Sequence, residues 1–282
     1  MDRIRKALDL AREEREHRFD PEPQAAKIDP ETRANPPSGS PRPALGLPAQ
    51  IVYTHTRVFT PDASTLESKR IVNAAGNDAA AAAFQMLRTQ VIQRMDENSW
   101  RTVAVLSPSM NDGKTTTAIN LAVSLANDRR HTVLLVDCDL RRPSIGAALG
   151  INPELGVDDL LRGNASVEQC LYHPEGFERL VILPARAALA NSSEALAGPR
   201  GRELVADLRG RYPERIIVFD LPPVLSADDA LAFLPLVECG LVVIAEHATR
   251  RDDLLRCMEL LRKTPILGTV INKATDVGSG YG

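Results

Sequence analysis

The residues with the most definite chemistry are the run Ser107-Pro-Ser-Met-Asn-Asp-Gly-Lys-Thr-Thr116. It follows the apolar run TVAVL (102–106) and precedes a stretch of helical character, TTAINLAVSLAN. Strand, loop and helix in that order are the context that a phosphate-binding loop requires. Backbone N–H groups of such a loop converge on the phosphates, and the helix dipole favours their negative charge. On this reading Asn111, Asp112 and Gly113 form the loop that cradles a nucleotide, and Lys114 reaches the β- and γ-phosphates. The Thr115 hydroxyl ligates Mg²⁺ and Thr116 meets the α-phosphate. The run departs from GxxxxGK[ST] in one place, with Pro108 where the first glycine belongs.

Carboxylates supply the rest. Asp137-Cys-Asp139 ends the apolar run TVLLV (132–136) and is followed by Leu-Arg141-Arg-Pro143. Asp220 ends RIIVF (215–219) and is followed by Leu-Pro-Pro223. Magnesium takes oxygen ligands, and Thr115, Asp137 and Asp220 are the candidates to hold it. A carboxylate at Asp137 or Asp139 can instead accept the proton of an attacking hydroxyl. The types and spacing leave open which of the two does so, and also whether these acids simply cap the next helix. Lys114, Asp137, Asp139 and Asp220 are the candidate catalytic set. Asn272, at the end of the last apolar run, is a candidate for the adenine pocket.

These groups need a sheet edge to bring them together. Six short apolar runs, TVAVL, TVLLV, RLVIL (179–183), RIIVF, LVVIA (241–245) and ILGTVI (266–271), alternate with helical stretches. Runs apolar on both faces suit strands covered by helices on both sides. The expected fold is α/β, a doubly wound and mostly parallel sheet of the P-loop NTPase type, with its ligand at the strand C-terminal ends. Asn77 can cap a helix through AAAAAFQMLRTQVIQRM. Ahead of this domain, taken as 77–273, residues 17–76 read as a Pro-rich, disordered arm, and Gln50 to Thr60 alternates in a way that suits a short strand. Residues 1–16 place Met1, Ile4, Leu8 and Ala11 at helical spacing, an amphipathic helix suited to docking. A glycine-rich tail, 274–282, follows the domain.

Composition sets outer limits. The chain has 282 residues, a net charge of −3 and a pI near 6.0, which gives no electrostatic reason to bind nucleic acid. No apolar run is long enough for a transmembrane helix, and the charged N-terminus has no signal-peptide core. Cys138, Cys170, Cys239 and Cys257 stand apart in apolar or helical contexts, as buried thiols of a reducing cytosol do.

SPSMNDGKTTTAINLA, LLVDCDLRRPS and IIVFDLPPVLSADDA resemble the three nucleotide motifs of the bacterial tyrosine kinases of capsule and exopolysaccharide loci. The resemblance runs over about residues 77–273, through GVDDLLRGNASVEQCL, LPARAALANSSEAL and PILGTVINK. The opening MDRIRKALDLARE is similar to the start of the autokinases in exosortase-linked loci. The resemblance implies Mg-ATP as cofactor, tyrosine autophosphorylation, a homo-oligomeric ring, and a membrane polysaccharide copolymerase of the chain-length-determinant type as partner. It implies a cytoplasmic protein recruited to the inner face of the plasma membrane. It places Lys114 and Thr115 in the first Walker motif, Asp137 and Asp139 in the family's additional one, and Asp220 in the second.

Three departures bear on activity. Met110-Asn111 replaces the family's Pro-Gly, although Asn adopts a left-handed conformation more readily than most residues. Ala82, Gln85 and Arg88 replace the Glu, Arg and Arg of the oligomerisation helix. The C-terminal tyrosine cluster is reduced to Tyr281, the expected phosphoacceptor, with Tyr53 as runner-up; Tyr172 and Tyr212 are expected at helix ends. The alternatives are a weak or inactive nucleotide-binding regulator of the same machinery and a partition-type ATPase. The latter carries an early loop lysine where this chain has Ser107, Pro108 and Ser109.

Overall fold

The computed structural model describes residues 56–72, 79–212 and 214–274, all within the unit 47–282. The expectations for the first 16 residues, for Tyr53 and for Tyr281 lie outside the described residues.

In chain order the elements are β1 (Arg57–Phe59), α1 (Ala63–Ser68), α2 (Ala79–Asn98), β2 (Thr102–Leu106), α3 (Lys114–Ala126), β3 (Thr132–Asp137), α4 (Ile145–Leu149) and α5 (Val157–Arg162). Then come β4 (Tyr172–Pro174), β5 (Leu180–Leu183), α6 (Ser192–Ala197), α7 (Pro199–Arg211), β6 (Arg215–Asp220), α8 (Asp229–Phe233), β7 (Cys239–Ala245), α9 (Arg251–Leu260) and β8 (Ile266–Asn272). The strands form an eight-stranded sheet ordered β1-β4-β5-β3-β6-β2-β7-β8. Neighbours run parallel except β4 and β5. The doubly wound, mostly parallel sheet read from the sequence is the fold of the protein.

The central strands β3, β6, β2 and β7 are buried along their whole length, so both faces must be apolar. Alternate side chains serve opposite faces. Val103, Val105, Val133, Leu135, Ile216 and Val218 join Ile119 and Val123 of α3 and Val91, Ile92 and Met95 of α2 in one core. On β6 the next residue, Phe219, instead meets Phe233 of α8 edge to face at 5.1 Å. The start of β2 is fixed by Glu238, whose Oε2 accepts Arg101 N at 2.6 Å, Thr102 N at 2.8 Å and Thr102 Oγ1 at 3.0 Å. Glu238 Oε1 meets Arg209 of α7 at 2.5 Å.

Part of the segment read as linker is folded onto the domain. Residues 57–59 form β1, paired in parallel with β4. Asp62 caps α1 by accepting Ser64 Oγ at 2.6 Å, Thr65 Oγ1 at 2.8 Å and Thr65 N at 2.8 Å. Those bonds pull its carboxyl down to about 2. The Asn120 amide on α3 holds the chain beyond, accepting Val72 N at 2.8 Å and donating to Arg70 O at 2.9 Å. A further correction concerns Tyr172, which lies in β4 and not at a helix end. It is buried, and its hydroxyl accepts Glu154 N at 3.1 Å and Arg57 Nη1 at 3.3 Å. Tyr212 directly follows α7, as expected. The four cysteines are free and buried. Among the described residues no helix is long and apolar enough to cross a membrane.

Candidate functional site

β2 ends at Leu106, and the chain turns through Ser107–Gly113 into α3. Two residues take left-handed backbone. Asn111 has φ 64°, the conformation its residue type tolerates. Gly113 has φ 91°, and a Cβ there would lie 1.8 Å from the Asn272 side-chain nitrogen, so only glycine fits. Beyond this loop lies a cavity of about 500 Å³, lined by Asn111, Gly113, Lys114, Thr115 and Thr116 and, across from them, Asp139, Arg141, Arg142 and Ser144.

The acids arrive on adjacent strands. Asp137 and Asp220 are the last residues of β3 and β6 and face each other in register. Lys114 Nζ lies 2.6 Å from Asp220 Oδ1 and 3.5 Å from Asp139 Oδ2. Thr115 Oγ1 donates to Asp220 Oδ2 at 2.6 Å. Burial works against the Lys114 charge, but the carboxylates of Asp220 and Asp139 outweigh it and raise its pKa. Lys114 therefore stays a cation at the floor of the cavity.

The two acids left open by sequence separate here. Asp137 is fully buried. Its Oδ2 accepts the N–H groups of Ser144 and Ile145, each at 3.0 Å, so it caps α4. Its Oδ1 accepts Asp139 N at 3.3 Å. The helix-capping alternative therefore holds for Asp137, and both its oxygens are engaged by backbone. Burial, and then the Asp220 charge, push its carboxyl up to about 7. Asp139 lines the cavity at 8% exposure, its carboxyl raised by burial against the opposing pull of Lys114.

Two other expected cofactor contacts have a different place. The Asp112 side chain is buried and holds the loop, with Oδ2 accepting Ser109 N and Oδ1 accepting Thr249 Oγ1, both at 2.9 Å. The Asn272 amide donates to Asp112 O at 2.9 Å and packs on Gly113. These side chains brace the loop from behind; neither is among those lining the cavity. Sequence reasoning missed Arg141, Arg142 and Ser144 as cavity walls. LRRPS was visible as a motif, but nothing in it says where its side chains point. Arg141 Nε is held at 2.8 Å by the buried Asp229 Oδ2, itself bonded by Ser192. Thr249 belongs to no motif and carried no signal.

The family model for the AAA domain matches residues 101–250, more than half the chain. Tyrosine-protein kinase YwqD of Bacillus subtilis is 28% identical over 202 residues, 71% of this chain and 84% of that one. The kinase domain of VpsO is 32% identical, with a TM-score of 0.61, over 69% of this chain and 95% of that structure. The chain belongs to the bacterial tyrosine kinase family of AAA domains. The succinoglycan biosynthesis transport protein ExoP of Rhizobium meliloti is 30% identical over 215 residues, 72% of this chain. This bacterial tyrosine kinase family member spans only 26% of ExoP, so its likeness there is to one part of a longer protein.

Proposed function

We propose that this chain is an Mg-ATP-dependent tyrosine autokinase that regulates exopolysaccharide or capsule synthesis with a membrane polysaccharide copolymerase of the chain-length-determinant type. The observation that carries this reading is the meeting of Lys114, Thr115, Asp220 and Asp139 at the mouth of a left-handed Gly113 turn, beside a cavity of nucleotide size. Phosphoryl transfer asks a protein mainly for positioning and charge stabilisation. The loop amides and Lys114 bind the phosphates. Thr115 and Asp220 are the side chains that would hold Mg²⁺, which when bound neutralises charge on the phosphate oxygens. Asp139, facing the cavity, accepts the proton of the tyrosine hydroxyl as its oxygen attacks the γ-phosphorus and the bond to the ADP oxygen breaks. Asp137, expected from sequence to ligate metal or act as base, instead sets the position of Asp139 and of α4.

The acceptor we assign is Tyr281. Tyr172 is buried in β4, and Tyr212 precedes β6, at the opposite end of that strand from Asp220. A cytoplasmic protein working at the inner face of the plasma membrane fits the polysaccharide partner. The second reading, a nucleotide switch without transfer, draws support from the exposed Ala82 and Gln85 on α2, which replace charged residues of the oligomerisation motif. Incubation with Mg-ATP, with and without the partner's cytoplasmic segment, followed by phosphotyrosine detection separates them. Phosphotyrosine that requires Mg-ATP supports the kinase; nucleotide binding without phosphotyrosine in either condition leaves the switch.

A further inference from the structure

We propose that Thr249 and Lys273 are positioning residues that aim the phosphate-loop amides into the cavity. The idea rests on the nucleotide-binding reading of that cavity. The loop lacks a glycine at Pro108 and has Met110-Asn111 in its middle, so its shape needs support from outside. That support comes from the ends of β7 and β8.

Lys273 Nζ donates to Asn111 O at 2.7 Å, and Asn272 Nδ2 donates to Asp112 O at 2.9 Å. Both carbonyls are thus drawn outward, away from the cavity. In a trans peptide the C=O of one residue and the N–H of the next point in opposite directions, and no described peptide here is cis. Capturing the Asn111 and Asp112 carbonyls therefore turns the N–H groups of Asp112 and Gly113 toward the phosphate side. Lys273 itself adopts φ 57° and Asn111 φ 64°, so two unusual backbone conformations are latched to each other.

Thr249 fixes the remaining freedom. Its hydroxyl accepts Ala245 N at 2.8 Å, which leaves its proton for Asp112 Oδ1 at 2.9 Å. Its own N–H donates to Ala245 O at 3.0 Å, so the residue is held on a closed turn at the end of β7. Asp112 passes the restraint on by accepting Ser109 N through its other oxygen. A methyl in place of the hydroxyl leaves a buried carboxylate oxygen without its donor, and the loop is then free to reorient.

Calorimetric titration with Mg-ADP and amide hydrogen exchange of the nucleotide-free protein test this together. Thr249→Val and Lys273→Met are expected to weaken Mg-ADP binding by about tenfold or more, while Thr249→Ser stays within about threefold of wild type. In Thr249→Val, exchange should quicken across 107–113 and remain unchanged in α3. Wild-type affinity and wild-type loop exchange in Thr249→Val would overturn the proposal, as would a Thr249→Ser protein as impaired as the Val variant. If the wild type itself fails to bind Mg-ADP, the nucleotide reading falls, and the exchange pattern alone decides whether the brace exists.

Discussion

Lys114 sits between Asp220 and Asp139 in a site that is almost fully buried, so its charge and theirs are mutually dependent. Breaking a buried pair by removing one partner commonly costs about 3 kcal/mol or more. Lys114→Met should lower the urea stability of the nucleotide-free protein by that order at pH 8, and should abolish the thermal shift given by Mg-ADP. Unchanged stability would mean that the pairing is not what holds the cluster. Asp137 gives a pH signature. Its folded pKa, about 7, lies above the ordinary carboxylate value near 3.9, so the folded protein binds this proton more tightly than the unfolded chain. Its contribution is complete below about pH 4 and is lost as the pH rises toward about 7. Stability of the nucleotide-free protein, measured by denaturant titration, should therefore decline over that window, and Asp137→Asn should flatten the decline. The residue types of this cluster were legible in the sequence, because Lys114 and Thr115 follow a glycine between strand and helix and the aspartates end apolar runs, as phosphate and magnesium binding require. The division of work between Asp137 and Asp139 was not. It depends on which carboxylate the Ser144 and Ile145 amides capture, and that is a matter of where α4 starts.

The elements carrying these residues are held at their far ends as well. Glu238 accepts three bonds at the start of β2, the strand that leads into the phosphate loop, and pairs with Arg209. Glu238→Ala removes the acceptor of the part-buried Arg101 and Thr102 N–H groups and the partner of Arg209, and should destabilise the protein by about 2 kcal/mol in a denaturant titration. A loss under about 0.5 kcal/mol would show that water replaces the carboxylate there. Six of the strands were readable, since each is a short run of apolar and β-branched residues; five of them are buried on both faces and β8 is partly exposed. β1 and β4 were not. β4 is only three residues long and contains His173 and Pro174, so it carries no apolar run although it is buried between β1 and β5. The tether of Arg70 and Val72 to Asn120 was hidden because it is made by one amide 50 and 48 residues away, and only the folded α3 brings it there.

At the scale of the whole molecule, the family resemblance implies a ring, and the surface of α2 argues for weaker assembly. Ala82 and Gln85 are exposed, and Arg88 is turned inward, donating to Ser124 O at 3.3 Å. A network of charges between subunits loses partners on that face. Sedimentation velocity with Mg-ADP should give monomers or small oligomers at low micromolar concentration, and a stable octamer would contradict this. The most direct test of the account is transfer of a labelled γ-phosphate from Mg-ATP to the chain itself, followed by phosphosite mapping. The account predicts label on Tyr281 in the wild type, none in Lys114→Ala or Asp139→Asn, and none on that site in Tyr281→Phe. Label that persists in Asp139→Asn, or no phosphotyrosine in the wild type even with the partner's cytoplasmic segment present, would contradict it.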